Sequence, residues 1–281
     1  MHILNEKLYP KALINFLRAS IQKPHPDLLR VSDLHDAPLI KHLMLKHWDD
    51  LVIDPNKHIP ALLGTAWHAA MEANRDATHI TETRLYRNID GITITGQPDI
   101  VTETTIEDFK TASVYQYIKQ DFAHWTAQLN SYLWLNQNLK NKRLICWPLY
   151  KDWSAMEALR IKPYPPRRIT KILLTQWDPE HTEQIIKQRV AIHQQPPCEC
   201  TREEKWQTDE QWALKSTKRK TAIRVLDTKE ELGKYALAKG LDLTRPEYSI
   251  ERRPGLCKRC QDWCPVNTFC QYYKPQPQEA T

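Results

Sequence analysis

Apolar positions recur at helical spacing through residues 10–22 and 36–48, and a proline-broken connection at Pro24 and Pro26 separates the two segments. A third helix is predicted from Pro60 to about Asn74. Pro60 suits a first helical turn, and the Ala/Leu/Met run behind it continues the helix. The period then changes to two. Residues 82–89 and 92–96 alternate apolar with polar around Asp90-Gly91, a strong short hairpin signal. Two strands follow, at about 98–102 and 104–109. A helix from about 114 to 137 carries Trp125, Leu129, Tyr132 and Leu133 at helical spacing. Arg143 to Tyr150 reads as a short strand and 179–194 as an amphipathic helix. After Gln194-Gln195-Pro196-Pro197 the composition shifts to a basic stretch, a helix at about 228–239 and a cysteine cluster. No internal repeat is present. This order predicts an α/β fold, a central mixed sheet flanked by helices, over residues 1–199. Residues 200–281 are expected to be a basic, cysteine-rich segment packing back on that core.

Composition narrows the function. Ten Trp and eleven Tyr in 281 residues supply burial that a disordered chain lacks. No run of roughly 18 apolar residues occurs, which excludes a spanning helix. The charged start, Met1 to Phe16, does not read as a signal peptide, so a cytoplasmic location, in a bacterial cell or a phage-infected host, is expected. Only six glycines are present, and neither a P-loop nor a dinucleotide-binding loop can be written from them. The net charge of +6 permits a nucleic-acid partner without demanding one. Seven cysteines, four of them between 257 and 270, suggest metal ligation more than disulfides.

The chemistry-bearing residues start with Ile106-Glu-Asp-Phe-Lys-Thr111. In a strand, Asp108 and Lys110 share one side and Phe109 takes the other, where it can anchor the core. Gly96-Gln-Pro-Asp99 enters the neighbouring strand, and Gly96 allows a tight approach that leaves Asp99 beside Asp108. Two carboxylates and a backbone carbonyl, that of Phe109, make an oxygen set suited to Mg²⁺ or Mn²⁺. Such a cation can activate water against a phosphodiester, with Lys110 orienting or deprotonating the nucleophile. A lone Asp-x-Lys would read as a solvated ion pair. Here it follows a hairpin, a Gly-x-x-Asp and a helical His68, which sits one turn after Gly64 and one before Glu72. Gly64 removes a side chain where another backbone or a DNA strand could approach. Glu82 could complete an outer shell, and Gln128 and Tyr132 are i, i+4 neighbours with Trp125 nearby.

Together these residues resemble the RecB-like branch of the PD-(D/E)XK nuclease superfamily. The series reads Gly64-x-x-x-His68, Gly96-x-x-Asp99, Asp108-x-Lys110 and Gln128-x-x-x-Tyr132, over about residues 30–135. The resemblance implies a restriction-endonuclease-like core and metal-dependent cleavage of DNA. It places His68, Asp99 and Asp108 around the metal and Lys110 in the catalytic role, with Gln128 and Tyr132 supporting the site or the DNA path.

The spacing Cys257-x₂-Cys260-x₃-Cys264-x₅-Cys270 suits one metal centre. It resembles the C-terminal triplet of RecB-like exonucleases with iron–sulfur clusters, such as CRISPR-associated ones and the AddB recombination subunit. Cys260, Cys264 and Cys270 look like that triplet, although its usual first gap is two residues and no cysteine precedes His68 here. The fourth ligand is expected to be Cys200, with Cys257 the local alternative and Cys198 a weaker one. The resemblance implies a [4Fe-4S] cluster, and Zn²⁺ is the structural competitor. The basic run Lys215, Lys218, Arg219, Lys220 and Arg224 could contact phosphates. The expected function is therefore a Mg²⁺- or Mn²⁺-dependent deoxyribonuclease acting on DNA ends or single strands in phage or bacterial recombination, repair or genome processing. The competing reading is a non-catalytic nucleic-acid-binding protein with a zinc tail. A helicase or annealing-protein partner is left open.

Overall fold

The structure is a computed structural model that describes residues 1–74, 76, 84–136 and 142–274. The chain divides into two compact units, Met1–Cys198 and Glu199–Thr281. In chain order the first unit contains β1 (His2–Ile3), α1 (Lys11–Ser20), β2 (Leu28–Arg30), α2 (Val31–Leu34), α3 (Pro38–Lys46), β3 (Val52–Ile53) and α4 (Pro55–Ala73). There follow β4 (Leu85–Ile89), β5 (Ile92–Gly96), β6 (Ile100–Val101), β7 (Thr105–Ala112), α5 (Val114–Lys119) and α6 (Ala123–Leu135). The unit ends with β8 (Arg143–Tyr150), α7 (Ala155–Arg160), β9 (Ile172–Leu174) and α8 (Pro179–Gln194).

The class is α/β, with mixed sheets flanked by helices. The strands are divided among sheets ordered β6-β7-β8-β9, β2-β5-β4 and β1-β3. In the four-stranded sheet β7 and β8 run parallel over eight residue pairs, while both outer strands are antiparallel to them. Asp90 and Gly91, with φ of 49° and 82°, close the β4–β5 hairpin in the left-handed backbone region that such a tight turn requires. The core gathers Leu129, Tyr132 and Leu133 of α6 with Leu29, Ile94, Ile106, Leu144 and Tyr150 from the strands.

Two helices differ from their expected bounds. α4 begins at Pro55, not Pro60, because the Asp54 side chain accepts from the Asn56 amide at 2.9 Å and Pro55 fills the first helical position. Pro60 therefore lies inside the helix, where it removes the bond to the Asn56 carbonyl. The long helix expected at 114–137 is two helices, α5 and α6, separated at Gln120, which adopts a left-handed φ of 52°. Glu82 lies outside the described residues. Among the described residues, no helix is long and apolar enough to cross a membrane.

The second unit is a small sheet ordered β11-β10-β12, with β10 (Gln211–Ser216), β11 (Arg224–Leu226) and β12 (Tyr248–Arg253) all antiparallel. Helix α9 (Lys229–Ala238) buries Leu232 and Ala236 against Leu214 of β10. A capping box between Thr228 and Glu231 starts that helix.

α2 is a single turn, so its carbonyls need partners from outside the helix. Arg189 Nε donates to the Leu34 carbonyl at 2.9 Å, and His193 Nε2 stands 3.2 Å from the same oxygen. His35 Nε2 meets Ser131 Oγ at 2.8 Å. Burial, reinforced by His124, Arg189 and His193, lowers the His35 pKa to about 3. Burial lowers that of His193 to about 4, against the hydrogen bond to Leu34. Both histidines are thus neutral when folded, and below the unfolded value near 6.5 the unfolded chain binds more protons. Stability is expected to be complete above pH 6.5 and to fall as the pH drops toward 4. Urea midpoints at a series of pH values between neutral and acidic check this. His35→Gln should make the dependence shallower, and a flat profile in the native protein contradicts the account.

Candidate active site

β6 pairs with β7 only at Ile100–Glu107 and Val101–Ile106. Asp99 therefore arrives beside β7 just past the end of that ladder. Its side chain takes over the role of a pairing strand, with Oδ2 accepting from the Phe109 amide at 2.7 Å. Its other oxygen, Oδ1, lies 3.0 Å from His68 Nδ1 on α4. Both oxygens of Asp99 are thus engaged.

Alternation along β7 sends its two sides to different helices. Phe109 meets Trp67 of α4 edge-on, with ring centroids 6.0 Å apart, and Thr111 faces Gly64 of the same helix. On the other side Asp108 faces α6, where Gln128 Nε2 lies 3.4 Å from Asp108 Oδ1 and donates to Tyr132 Oη at 2.8 Å. Lys110 Nζ forms an ion pair with Asp108 Oδ2. The expected shared side for Asp108 and Lys110 is present. Phe109, expected to anchor the core, is only half-buried, while Asp108 is 2% exposed. The Phe109 amide is engaged at the site by Asp99.

Burial raises the Asp108 pKa, opposed first by the Lys110 charge and reinforced by Asp99. For Lys110, burial disfavours the charge, but the Asp108 carboxylate outweighs it and holds the ammonium above its ordinary value. The His68 pKa is raised, chiefly by its hydrogen bond to Asp99 and against burial. Burial pushes the Tyr132 hydroxyl up, with Asp108 adding to it, so Tyr132 stays protonated. Gln128 and Tyr132 are 8% and 4% exposed and meet Asp108 inside the protein.

A cleft of about 230 Å³ opens on the α4 side, lined by His68, Glu72, Arg84, Gln97, Asp99 and Phe109 among others. Asp108 and Lys110 are not among its lining residues. Arg84 was missed in the sequence because it belongs to no spaced motif. Its one signal is position, a cation at the mouth of the hairpin that leads to Asp99.

Gly96 has a steric reason different from the one expected. An added Cβ would lie 2.6 Å from the Tyr132 ring and 2.8 Å from Val31 Cγ2, both buried. The glycine makes room for Tyr132 and so for the support of Asp108. At Gly64 a Cβ would meet only Thr111 Oγ1 at an ordinary 3.6 Å.

The carboxylates of Asp99 and Asp108 are the oxygen donors that Mg²⁺ or Mn²⁺ takes, and the His68 imidazole beside Asp99 is a further metal donor, so the donor set fits such a cation. Among the described residues, no three His, Cys, Asp or Glu side chains are already drawn to metal-binding distances. The same holds for the thiols of the second unit. There Cys200 is affected by Cys260, Cys264 and Cys270, while Cys260 is affected by Cys257, Cys264 and Cys270. Burial, aided by Glu204 and those thiols, pushes Cys200 up to about 12. The segments are stitched by Thr208 N to Leu256 O at 3.0 Å and Arg259 N to Lys205 O at 3.1 Å. Cys198 is exposed, and Cys146 is fully buried on β8 opposite Asp108. Thiolate donors fit Zn²⁺ or iron–sulfur chemistry equally.

In the basic run, Lys215 pairs with Glu251, and Lys218 with Glu247 at 2.7 Å. Arg219 donates to Thr221 at 3.1 Å and Arg224 lies over the Tyr235 ring at 5.8 Å. Lys220 is exposed. Intramolecular partners thus occupy much of the charge expected to meet phosphates.

No known family model and no curated protein matches the chain. Among solved structures it is similar to SSO0001, with 17% identity, 66% of this chain and 85% of that chain covered, and a TM-score of 0.44. It is also similar to a phage-related exonuclease from Haemophilus somnus 129PT, with 13% identity, 59% and 91% coverage, and a TM-score of 0.35. Likeness at those scores carries no inference about activity.

Gly96→Ala is expected to destabilise the protein by about 1–3 kcal/mol through overpacking on Tyr132 and Val31. Gly64→Ala should instead gain up to about 1 kcal/mol from helix propensity. Chemical denaturation of both variants measures this, and a neutral Gly96→Ala would contradict the packing role.

Proposed function

We propose that this chain is a Mg²⁺- or Mn²⁺-dependent nuclease of the RecB-like PD-(D/E)XK kind, hydrolysing DNA phosphodiesters at ends or in single strands. Such an activity would serve phage or bacterial recombination, repair or genome processing. The observation that carries the reading is the meeting of His68–Asp99 with the buried Asp108–Lys110 pair at the open edge of β7. Asp99 and Asp108 would hold the cation, with His68 beside them. When bound, the cation would neutralise charge on a phosphodiester and acidify water.

The chain's own residues set the remaining requirements. The Phe109 amide fixes one Asp99 oxygen, so that carboxylate cannot swing away from β7. Gln128, held by Tyr132, limits rotation of Asp108. Lys110 retains its proton in the ion pair. That state suits orienting and stabilising negative charge better than removing a proton. Arg84, on the cleft wall, is placed to meet a phosphate entering toward Asp99.

Asp108→Asn and Lys110→Met are each expected to lower cleavage of labelled linear DNA by at least about 100-fold. Asp108 is buried and Lys110 half-buried, so each single variant should also lose stability, because it strands the other partner. The double variant should recover much of that stability and none of the activity. Near-native cleavage by any of the three would sink the assignment.

We further propose that Cys200, Cys260, Cys264 and Cys270 hold a [4Fe-4S] cluster in the second unit. The charges of Cys260, Cys264 and Cys270 bear on Cys200, which supports this choice, while Cys257 bears on Cys260 and is the alternative ligand. Anaerobically purified protein should be brown, with visible absorption that bleaches on reduction. Cys264→Ser should remove the colour and lower stability, since metal binding and folding are coupled. Cys200→Ser should bleach the protein and Cys257→Ser should not. Colourless protein containing stoichiometric zinc would replace the cluster by Zn²⁺.

A further inference from the structure

Between β8 and β9 the chain carries Arg160, Lys162, Arg167, Arg168 and Lys171, with no Asp or Glu from Ala158 to Trp177. All five cations are exposed, and among the described residues none of them forms an ion pair. The basic run of the second unit differs, since Glu251 and Glu247 engage Lys215 and Lys218. The carboxylates that bound the present stretch are used elsewhere. Glu157 accepts from Tyr164 Oη at 3.0 Å, and Asp178 accepts from the Glu180 amide at 2.9 Å. Like charges crowded in this way repel one another, and folding gives them no internal partner.

Strand register places this charge on the face that holds the cleft. Phe109, which lines the cleft, pairs in β7 with Trp147 of β8, so both side chains stand on the α4 side of the sheet. Lys171 continues the row. It immediately precedes Ile172, the partner of Cys146, and its ammonium lies 5.8 Å from the Trp147 ring centroid. Two strand spacings, about 10 Å, thus separate Phe109 from Lys171. α4 packs on β7, whereas Trp147 is half-buried and Lys171 and Leu173, which alternation puts on one side, are exposed. Trp147 is fixed without a ligand, because its indole N–H donates to Glu107 at 2.5 Å. At the end of β8 the Tyr150 amide donates to the Arg168 carbonyl at 2.9 Å. The Arg168 guanidinium lies 5.5 Å from the Trp153 ring centroid and donates to that residue's carbonyl at 3.3 Å. These bonds hold the Arg167–Arg168 corner beside the strand end.

We propose that this open face, from Phe109 across Trp147 to Lys171 and the Arg167–Arg168 corner, carries a single nucleic-acid strand outside the cleft. Phosphates would lie on the cations and unpaired bases against Trp147 and Leu173. A duplex keeps its bases in its own stack and would leave the indole and Leu173 without a partner. The proposal rests on the nuclease reading only for the identity of the polymer. The test follows a labelled oligothymidylate by fluorescence anisotropy with the full-length protein in EDTA, over a series of salt concentrations. The double variant Arg167→Gln with Lys171→Gln is expected to bind at least about tenfold more weakly at low salt. It should also flatten the slope of log affinity against log salt by about 1.4, the share of two single-strand phosphate contacts. Both side chains are exposed and unpaired, so its urea midpoint should match that of the native protein. Lys215→Gln with Lys218→Gln makes the same change in net charge and should leave affinity within about twofold, because those cations already have partners. Native affinity and slope in the first variant, or an equal loss in the second, would overturn the proposal. Displacement of the strand by polyglutamate as readily as by unlabelled oligothymidylate would also overturn it, and would assign the face to an acidic protein. If the strand binds as expected but no DNA is cleaved with Mg²⁺ or Mn²⁺, only the nuclease reading fails. If DNA is cleaved while the first variant binds as the native protein does, only this path fails.

Discussion

The first unit is organised around a buried carboxylate. Asp108 sits in the middle of a parallel strand pair, 2% exposed, where an uncompensated charge would cost several kcal/mol. Lys110, two residues along the same side of β7, supplies the opposite charge, and Gln128 approaches from α6. An apolar residue at 108 would pack there with fewer constraints, since replacing a buried ion pair by hydrophobic side chains is often neutral or stabilising. The pair must therefore be explained by what it does, because stability alone does not call for it. Its surroundings are shaped to keep it. Gly96 is bare so that the Tyr132 ring can pass, Tyr132 accepts from Gln128, and Gln128 faces Asp108.

The second constraint is the early end of the β6–β7 ladder. A longer β6 would have paired with Phe109 through its backbone and closed the strand edge. Asp99 pairs with the Phe109 amide through a carboxylate instead. The chain thus exchanges a ladder hydrogen bond for a charged group held at the edge, and α4 brings His68 to that group. Asp99 reaches β7 at its edge, and Asp108 projects from β7 toward α6 near enough for the two carboxylates to raise one another's cost of ionisation. The open cleft is lined by His68 and Asp99.

Much of this arrangement was legible in the sequence because it depends on period and spacing. The Asp90-Gly91 turn, the strand Arg143–Tyr150 and the helix at 179–194 follow from local rules. Strand alternation alone places Asp108 and Lys110 on one side. Other features depend on tertiary context and left no local signal. Pro60 looks like a helix start until the Asp54 cap and Pro55 are considered together. Gln120 is an ordinary residue whose left-handed backbone divides α5 from α6. The strands β10 to β12 hide in a segment whose charges dominate its composition. There Lys215 meets Glu251 across β10 and β12, and Lys218 meets Glu247 just beyond the strand ends. Arg84 reaches the cleft by position alone.

α6 connects these observations. Its residues are buried almost all round, from Trp125 to Leu135, so it has no solvated face to which polar side chains could turn. Each must then find a partner inside the protein. Gln128 is used toward Asp108, Ser131 meets His35, and Asn130 ties down the segment before α8. One helix thus braces the carboxylate, the α2 turn and that segment at once. Trp134 turns its indole toward the Glu183 carboxylate of α8. α6 thus directs its polar groups to β7, to α2, to the segment before α8 and to α8 itself, and each direction fixes a different part of the first unit.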